Sequence, residues 1–216
     1  MTTHEPTIFM QLQDLFGHGG PVLVILAVMS VFALALILLK ALQFARLRVG
    51  ARGFIGTAFG HWRAGRPDEA LTVLEASPNP IAVVLTVAVR GLARTDGQAS
   101  ESVREEVLRK AAEQQKRLGA YARGLDAVAT LAPLLGLLGT VFGMIEAFRE
   151  LEAAGGRADP ALLAGGIWEA LLTTAAGLSI AIASAAALHW IEGIVEQVRH
   201  DTEDAVTRLF TGNLQG

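Results

Sequence analysis

Three polar side chains lie within or beside long apolar stretches of the sequence, and their types are suited to proton transfer. Thr140 and Thr174 each lie inside an apolar stretch, and Glu169 lies at the edge of the stretch that contains Thr174. A hydroxyl both donates and accepts hydrogen bonds, and a carboxylate can bind a proton. Because an ionisable group in or beside a membrane span is costly, it indicates a functional site. These residues are therefore the candidates for a functional site, and their chemistry would suit proton transfer.

Both threonines share a helical face with small residues. Positions three or four apart lie on one side of an α-helix, and small side chains in membrane helices indicate close packing. We therefore expect each face to mark a close approach between helices, and we call the two faces a polar seam: Pro133, Gly136, Thr140, Gly143 and Ala147 on the first, and Ala170, Thr174, Gly177, Ala181 and Ser184 on the second.

Each of these polar residues also has a purely structural interpretation. A threonine in a membrane helix often donates its hydroxyl to a carbonyl one turn earlier. A carboxylate at a helix N-terminus, such as Glu169, is favoured there by the helix dipole without any further role. The sequence leaves both interpretations open for Thr140, Thr174 and Glu169.

Charged residues make up only 18% of the chain and are nearly absent from three windows. About 20 apolar residues cross a bilayer core of ~30 Å as a helix, so the windows predict transmembrane helices at 15–42, 126–148 and 164–191. The alternative is three buried helices of a soluble protein, which are rarely apolar all round at such lengths. The predicted fold class is all-α: a polytopic membrane protein with three transmembrane helices and long helices extending into the cytoplasm.

Basic residues give the predicted orientation of the spans. Lys40, Arg46 and Arg48 directly follow the first window, and basic residues beside a span stay in the cytoplasm. This predicts a periplasmic N-terminal segment at 1–14, a cytoplasmic helical segment at 43–125, a periplasmic loop at 149–163 and a cytoplasmic C-terminal helix at 192–216. The protein would thus lie in a bacterial inner membrane with most of its soluble mass in the cytoplasm.

The segment between the first two spans has helical patterns and clear breaks. Pro67 followed by two acids is typical of a helix first turn, and Ser77-Pro78-Asn79-Pro80 predicts a break, with a short apolar helix at 81–92 after it. From residue 100 to 148 the chain has no proline outside the second span and no turn cluster. We therefore expect one continuous helix there, roughly 70 Å long at 1.5 Å per residue.

Several classes of function are disfavoured by composition. The net charge of −3 gives no indication of a nucleic-acid partner, and the absence of cysteine excludes disulfides and thiol catalysis. The five scattered histidines lack metal-ligand spacing, and no nucleophile–base pair stands out. We expect neither an enzyme nor a bound cofactor or metal.

The apolar windows contain no Asp, Glu, Lys or Arg near their middle. A proton relay across a bilayer needs a titratable group or a water chain at that depth. Because this chain offers only hydroxyls there, a partner protein must bring the carboxylate if protons cross.

The two motifs LAPLLGLLGTVFGM and WEALLTTAAGL resemble the MotA/TolQ/ExbB proton-channel family, and the three-span layout is similar to ExbB and TolQ. The resemblance implies a homopentamer in the lipid bilayer whose second and third spans surround an ExbD- or TolR-like single-span partner with an intramembrane aspartate. It also implies that Thr140 and Thr174 are pore threonines and that Glu169 is the motif glutamate. The motion driven by ion flux would then be transmitted to a TonB- or TolA-like protein. The function would be a proton-motive-force-driven motor for TonB-dependent import or the Tol-Pal system.

One position departs from the pattern of the family. The family usually has a proline shortly after the AAGL stretch, and Ala183 stands there in this sequence; a kinked third span is therefore not assumed. Two alternatives stay open: a partner-independent ion channel, and a membrane scaffold that recruits cytoplasmic proteins. The choice between H⁺ and Na⁺ is open as well.

Overall fold

A computed structural model describes residues 20–95, 97–153 and 160–212 of the chain. Within these ranges all regular structure is helical and no strand occurs, so the prediction of an all-α fold is confirmed. The predicted segment 1–14 lies outside the described residues, as do 15–19 of the first span, 154–159 of the predicted loop and 213–216.

Seven helices make up the described part of the chain. They are α1 (Gly20–Leu47), α2 (Gly53–Arg63), α3 (Pro67–Glu75), α4 (Pro80–Arg94), α5 (Glu101–Leu118), α6 (Ala122–Ala153) and α7 (Pro160–Thr211). Three stretches are long and apolar enough to cross a membrane, and they lie in α1, in the α5–α6 segment Glu101–Ala153 and in α7. The protein is therefore a polytopic membrane protein with three spanning helices, as its sequence predicts.

The chain divides into two compact units. The spanning unit contains Met1–Ile37 and Arg123–Leu188, and the helical unit contains Leu38–Ala122 and His189–Gly216. Each unit is built from pieces distant in the sequence, because α1, the α5–α6 segment and α7 all pass from one unit to the other.

The helical unit has its core around α4. One side of this helix is almost fully buried, including Ile81, Leu85 and Ala88, and α4 contacts α3 and α5. The side chain of Asn79 caps α4, because its Oδ1 accepts a hydrogen bond from the Ile81 N–H at 2.9 Å. Its Nδ2 donates to the Arg48 carbonyl at 2.9 Å, which ties the end of α1 to the start of α4. The predicted break and the short apolar helix are thus confirmed.

Local patterns elsewhere in the helical unit agree with the sequence. Pro67 is in the first turn of α3, with Asp68 and Glu69 beside it, as expected for a helix start. On α5, Lys110 donates to Glu113 at 3.0 Å. This hydrogen bond, with the positive charge of Lys110, holds the pKa of the Glu113 carboxyl below its ordinary value. Because both side chains remain partly exposed to solvent, the pair contributes little to stability.

The predicted continuous helix from residue 100 to 148 is wrong. The helix α5 ends at Leu118, a turn covers 119–121, and α6 begins at Ala122. Gly119 caps α5, and Tyr121 has a φ of 69°, which is left-handed backbone that ends a helix. Neither residue is a strong breaker in the sequence, so local propensity did not reveal the turn.

A buried lysine stabilises this turn. The side chain of Lys40 on α1 is 1% exposed, and its ammonium donates to the Leu118 carbonyl at 2.6 Å and to the Gln43 Oε1 at 2.9 Å. The rings of Phe44 and Tyr121 lie 5.5 and 5.9 Å from the ammonium, within range of a cation–π interaction. Lys40 thus satisfies a carbonyl that the end of α5 leaves without a helical donor.

Candidate functional site

The spanning unit contains a close contact between α6 and α7. A Cβ atom built on Gly136 would lie 3.0 Å from the Thr174 Cα, and one built on Gly177 would lie 2.5 Å from the Ala132 carbonyl oxygen. A Cβ on Gly143 would lie 3.0 Å from the Ala170 Cβ. Only residues without a side chain allow backbones to approach this closely, which is the packing expected of small residues in membrane helices.

Two adjacent threonine hydroxyls of α7 converge on one carbonyl of α6. The Thr174 hydroxyl donates to the Gly136 carbonyl at 3.0 Å. The Thr173 hydroxyl donates to the Ala170 carbonyl at 2.7 Å and approaches the same Gly136 carbonyl at 3.3 Å. These interhelical hydrogen bonds hold the N-terminal third of α7 in register with α6.

Thr140 bonds within its own helix. Its hydroxyl donates to the Leu137 carbonyl at 2.6 Å, and its side chain is half-buried. This is the local bond that the structural interpretation expects of a membrane threonine. The hydroxyls of Thr140 and Thr174 therefore both have their proton engaged by a backbone carbonyl, whereas their oxygen lone pairs remain able to accept.

Glu169 lies beside a cavity of 520 Å³ in the spanning unit. The cavity is bounded by the first turn of α1, by the C-terminal half of α6 and by α7 near Glu169 and Thr173. Glu146 and Glu150 of α6 also line it, and Glu146 pairs with Arg149 at 3.4 Å. The predicted carboxylate thus lies in an acidic recess at the end of the spans that the orientation prediction places outside.

The small residues predicted for the seam have two different environments. Gly136 and Ala147 of α6 are buried, as are Ala170, Gly177, Ala181 and Ser184 of α7. Pro133, Thr140, Gly143 and Thr174 are half-buried. The structure thus brings Gly136 and Gly143 of the first predicted face against Ala170, Thr174 and Gly177 of the second within one chain. The pore-lining role of Thr140, Thr174 and Glu169 stays a prediction, as does the pore-facing role of the small residues.

One residue of the contact, Thr173, did not stand out in the sequence as a site residue. Thr173 is 2% exposed, and a Cβ on Gly139 would overlap its hydroxyl. The adjacent Thr173 and Thr174 point about 100° apart on a helix, so one of them had to face the neighbouring helix more directly. That geometric argument predicts one packing threonine in the pair, but it does not decide between Thr173 and Thr174.

The third span is an uninterrupted helix through Ala183. α7 runs without a break from Pro160 to Thr211, so the departure from the family pattern at this position leaves the helix regular. The neighbouring Ser184 is fully buried, and its hydroxyl has no hydrogen-bond partner within the described part of the chain. We have no physical account of that unsatisfied hydroxyl.

The described residues contain no group of three or more acidic or histidine side chains that could hold a metal ion. The site consists of hydroxyls and carbonyls inside the spans and of carboxylates at one end of the spans. Such groups can pass a proton along a chain of hydrogen bonds.

Comparison with known proteins assigns the family. The model of the MotA/TolQ/ExbB proton channel family matches residues 76–204, a range that includes the α6–α7 contact and most of the helical unit. The chain belongs to the MotA/TolQ/ExbB proton channel family. The resemblance drawn from the two sequence motifs is therefore confirmed, and this family is one of channel and transport components.

Several relatives of this family member carry ExbB names. It is 28% identical over 195 residues to a putative biopolymer transport protein ExbB homolog of Methanothermobacter thermautotrophicus, covering 89% of this chain and 67% of the relative. It is 38% identical over 92 residues to the biopolymer transport protein exbB1 of Vibrio cholerae, covering 41% and 40%. With the biopolymer transport protein ExbB of Neisseria meningitidis serogroup A it shares 25% identity over 193 residues, covering 84% and 87%.

Proposed function

We propose that this protein is the membrane subunit of a proton-motive-force-driven motor of the ExbB type. Several copies would enclose a single-span partner of the ExbD or TolR kind, and proton flow between the two proteins would energise a TonB- or TolA-like protein. The observation that carries the proposal is the pair of mid-span threonines, Thr140 and Thr174, whose hydroxyl protons are both bonded to backbone carbonyls.

The direction of these hydrogen bonds determines what the hydroxyls can do. A threonine whose proton is bonded to a carbonyl can still accept a hydrogen bond at its oxygen. A protonated carboxylic acid has one O–H to donate, whereas an ionised carboxylate has none. The two threonines are therefore suited to receive a neutral, proton-carrying acid within the membrane and offer less to its charged form.

The acid itself has to come from another chain. Residues 127–145 and 170–188 contain no Asp, Glu, Lys or Arg, so the middle parts of the two spans that hold the threonines have no acidic or basic side chain. A charged group in lipid is costly unless it has a partner. A partner aspartate that moves past hydroxyl acceptors while neutral would avoid much of that cost.

Glu169 has a different role in this proposal. It lies at the acidic recess with Glu146 and Glu150, at the end of the spans predicted to face the periplasm. Carboxylates at a channel mouth raise the local concentration of cations by electrostatic attraction. We propose that Glu169 delivers protons from the outer face toward the partner acid.

The proposal can be tested with the protein and its natural partner together. The tagged chain is purified from its own membranes, its copy number and companions are determined by native mass spectrometry, and proton uptake is measured in liposomes under an imposed potential. The expected result is a pentamer with a single-span protein carrying an intramembrane aspartate, and proton uptake by that complex. The control is the same chain reconstituted without the partner, which should conduct at least ten-fold less.

Two outcomes would contradict the proposal. Equal proton uptake by the chain alone would favour the partner-independent channel. No uptake by the complex, combined with stable recruitment of soluble proteins, would favour the scaffold.

A further inference from the structure

The exposed surface of α6 is divided into two faces beside its contact with α7. At about 100° per residue, the buried residues Ala132, Gly136 and Ala147 share the side that packs on α7. A second side carries large exposed apolar side chains, which are Leu131, Leu134, Leu138, Val141, Phe142 and Ile145. That composition suits contact with lipid tails.

The remaining side of α6 contains the polar groups of the second span. Asp126, Thr130, Pro133 and Thr140 lie within about 40° of one line along the helix, and each is exposed or half-buried. We call these four residues the polar stripe. Leu137, which is 59% exposed, and Met144 share the line. The polar side chains therefore concentrate at the Asp126 end, and an exposed apolar side chain separates them from Thr140.

Pro133 adds a backbone acceptor next to the stripe. Proline lacks an N–H, so the carbonyl four residues earlier loses its helical donor. In α6 that carbonyl belongs to Ala129, which precedes Thr130. A free carbonyl and a hydroxyl side by side can hold water by two hydrogen bonds, which a lipid-facing surface would not require.

Asp126 is the terminal residue of the stripe, at the end that the orientation prediction places in the cytoplasm. Its side chain is exposed, and its carboxylate makes no ion pair or hydrogen bond with any part of the chain that the structure describes. It lies 14 residues before Thr140 on the same side of α6, or about 21 Å along the axis at 1.5 Å per residue.

We propose that Asp126 is the proton-release carboxylate of the pathway, and that the polar stripe between Asp126 and Thr130 faces water rather than lipid. A proton leaving the partner acid would pass through water held at Thr130 and Ala129 and bind the Asp126 carboxylate. The resulting carboxylic acid then loses the proton to cytoplasmic water and returns to its charged form. This inference rests on the proposed function and adds the exit residue that the threonines alone do not supply.

The first test measures which side of α6 is accessible to water. Because the sequence contains no cysteine, an introduced cysteine is the only one that can be labelled. Single cysteines are placed at Thr130 and at its neighbour Leu131 in the assembled complex, and their reaction rates with a charged methanethiosulfonate reagent are compared. Both positions have the same depth, but Leu131 belongs to the apolar face. We expect Thr130→Cys to react at least ten-fold faster than Leu131→Cys. Equal reaction rates would contradict the proposal that the polar stripe faces water.

The second test measures proton uptake by the reconstituted complex. Asp126→Asn should lower the rate about ten-fold, and Asp126→Glu should retain most of it, because glutamate also binds and releases a proton. Glu105→Gln on α5 is the matched control, since it removes an exposed carboxylate outside the spans and should leave the rate unchanged. Native mass spectrometry of each variant verifies assembly.

The outcomes separate this inference from the proposed function. The absence of proton uptake by the wild-type complex would contradict both the proposed function and this inference. Normal uptake in Asp126→Asn, with low uptake in Thr140→Val, would overturn the role of Asp126 and leave the proposed function intact. Failed assembly of Asp126→Asn together with slow labelling of Thr130→Cys would make Asp126 a structural residue and also overturn the inference.

Discussion

Glycines determine how closely α6 and α7 can approach. At Gly177 an added Cβ would lie 2.5 Å from the Ala132 carbonyl oxygen and 3.1 Å from the Gly136 Cα. Both obstacles are backbone atoms, so they cannot move away by changing a rotamer. The hydrogen bond from Thr174 to the Gly136 carbonyl lies in the same contact, so helix spacing and the position of the candidate threonine depend on the same glycines.

Gly177→Ala should therefore destabilise the spanning unit. Overpacking of this kind costs about 1–3 kcal/mol, which lowers the unfolding midpoint of a chain of this size by several degrees. Gly193→Ala is the matched control, because it lies on the same helix with no atom within 4 Å of its added Cβ. Thermal unfolding in detergent measures both variants. A midpoint for Gly177→Ala at or above that of Gly193→Ala would refute the close contact.

Lys40 supports a second prediction for a single residue. Lys40→Met keeps an unbranched side chain of similar length but removes the donor to the Leu118 carbonyl. Leaving a buried carbonyl unsatisfied costs about 1–3 kcal/mol, so the last turn of α5 should exchange its amide hydrogens at least several-fold faster. Lys116→Met, at an exposed position on α5, should change nothing. Hydrogen–deuterium exchange with mass spectrometry measures both variants. Unchanged exchange in Lys40→Met would contradict the proposal that Lys40 stabilises the turn.

Among the described helices, α7 is the longest and contains Ala183, where the family pattern has a proline. It is unbroken over 52 residues, and Ala183 lies on its exposed side. Introducing a proline there removes an N–H and crowds the carbonyl of Ser179 four residues earlier. The cost in a helix interior is about 3 kcal/mol, although neighbouring groups reduce it inside membranes.

Ala183→Pro should consequently lower the thermal midpoint of the protein, whereas Ala183→Leu should not. The leucine keeps the backbone intact and places its side chain on an exposed apolar surface, so it controls for side-chain size. Unfolding monitored by tryptophan fluorescence measures both. A proline variant as stable as the leucine variant would mean that α7 bends at this point at little cost, and the description of a regular helix would fail.

The elements differ in how far the sequence predicted them. The three spans and the break before α4 were predicted because uncharged windows and proline pairs act locally. The turn at 119–121 was missed because the residue that stabilises it, Lys40, is 78 positions from Leu118. Likewise, the sequence placed Thr174 on a small-residue face, but the choice of Thr173 as the more buried hydroxyl depends on how α6 and α7 pack.

As a whole molecule, the protein offers hydrogen-bond acceptors within two of its spans but no acidic or basic side chain near the middle of either one. The hydroxyls of Thr140 and Thr174 lie in stretches that contain no charged residue. One carboxylate borders each stretch, Asp126 before the stretch of Thr140 and Glu169 before the stretch of Thr174. This distribution is expected of one half of a two-protein pathway, and membership of a proton channel family agrees with it. The account therefore depends on the mid-span hydroxyls.

The most direct measurement is proton uptake by the reconstituted complex when both hydroxyls are removed. Thr140→Val with Thr174→Val should reduce the rate at least ten-fold, and serine at both positions should restore most of it, because serine keeps the acceptor oxygen. Thr86→Val on α4, which loses a similar bond to the Ala82 carbonyl at 2.8 Å, should behave as wild type. Wild-type uptake by the assembled double valine variant would contradict the account.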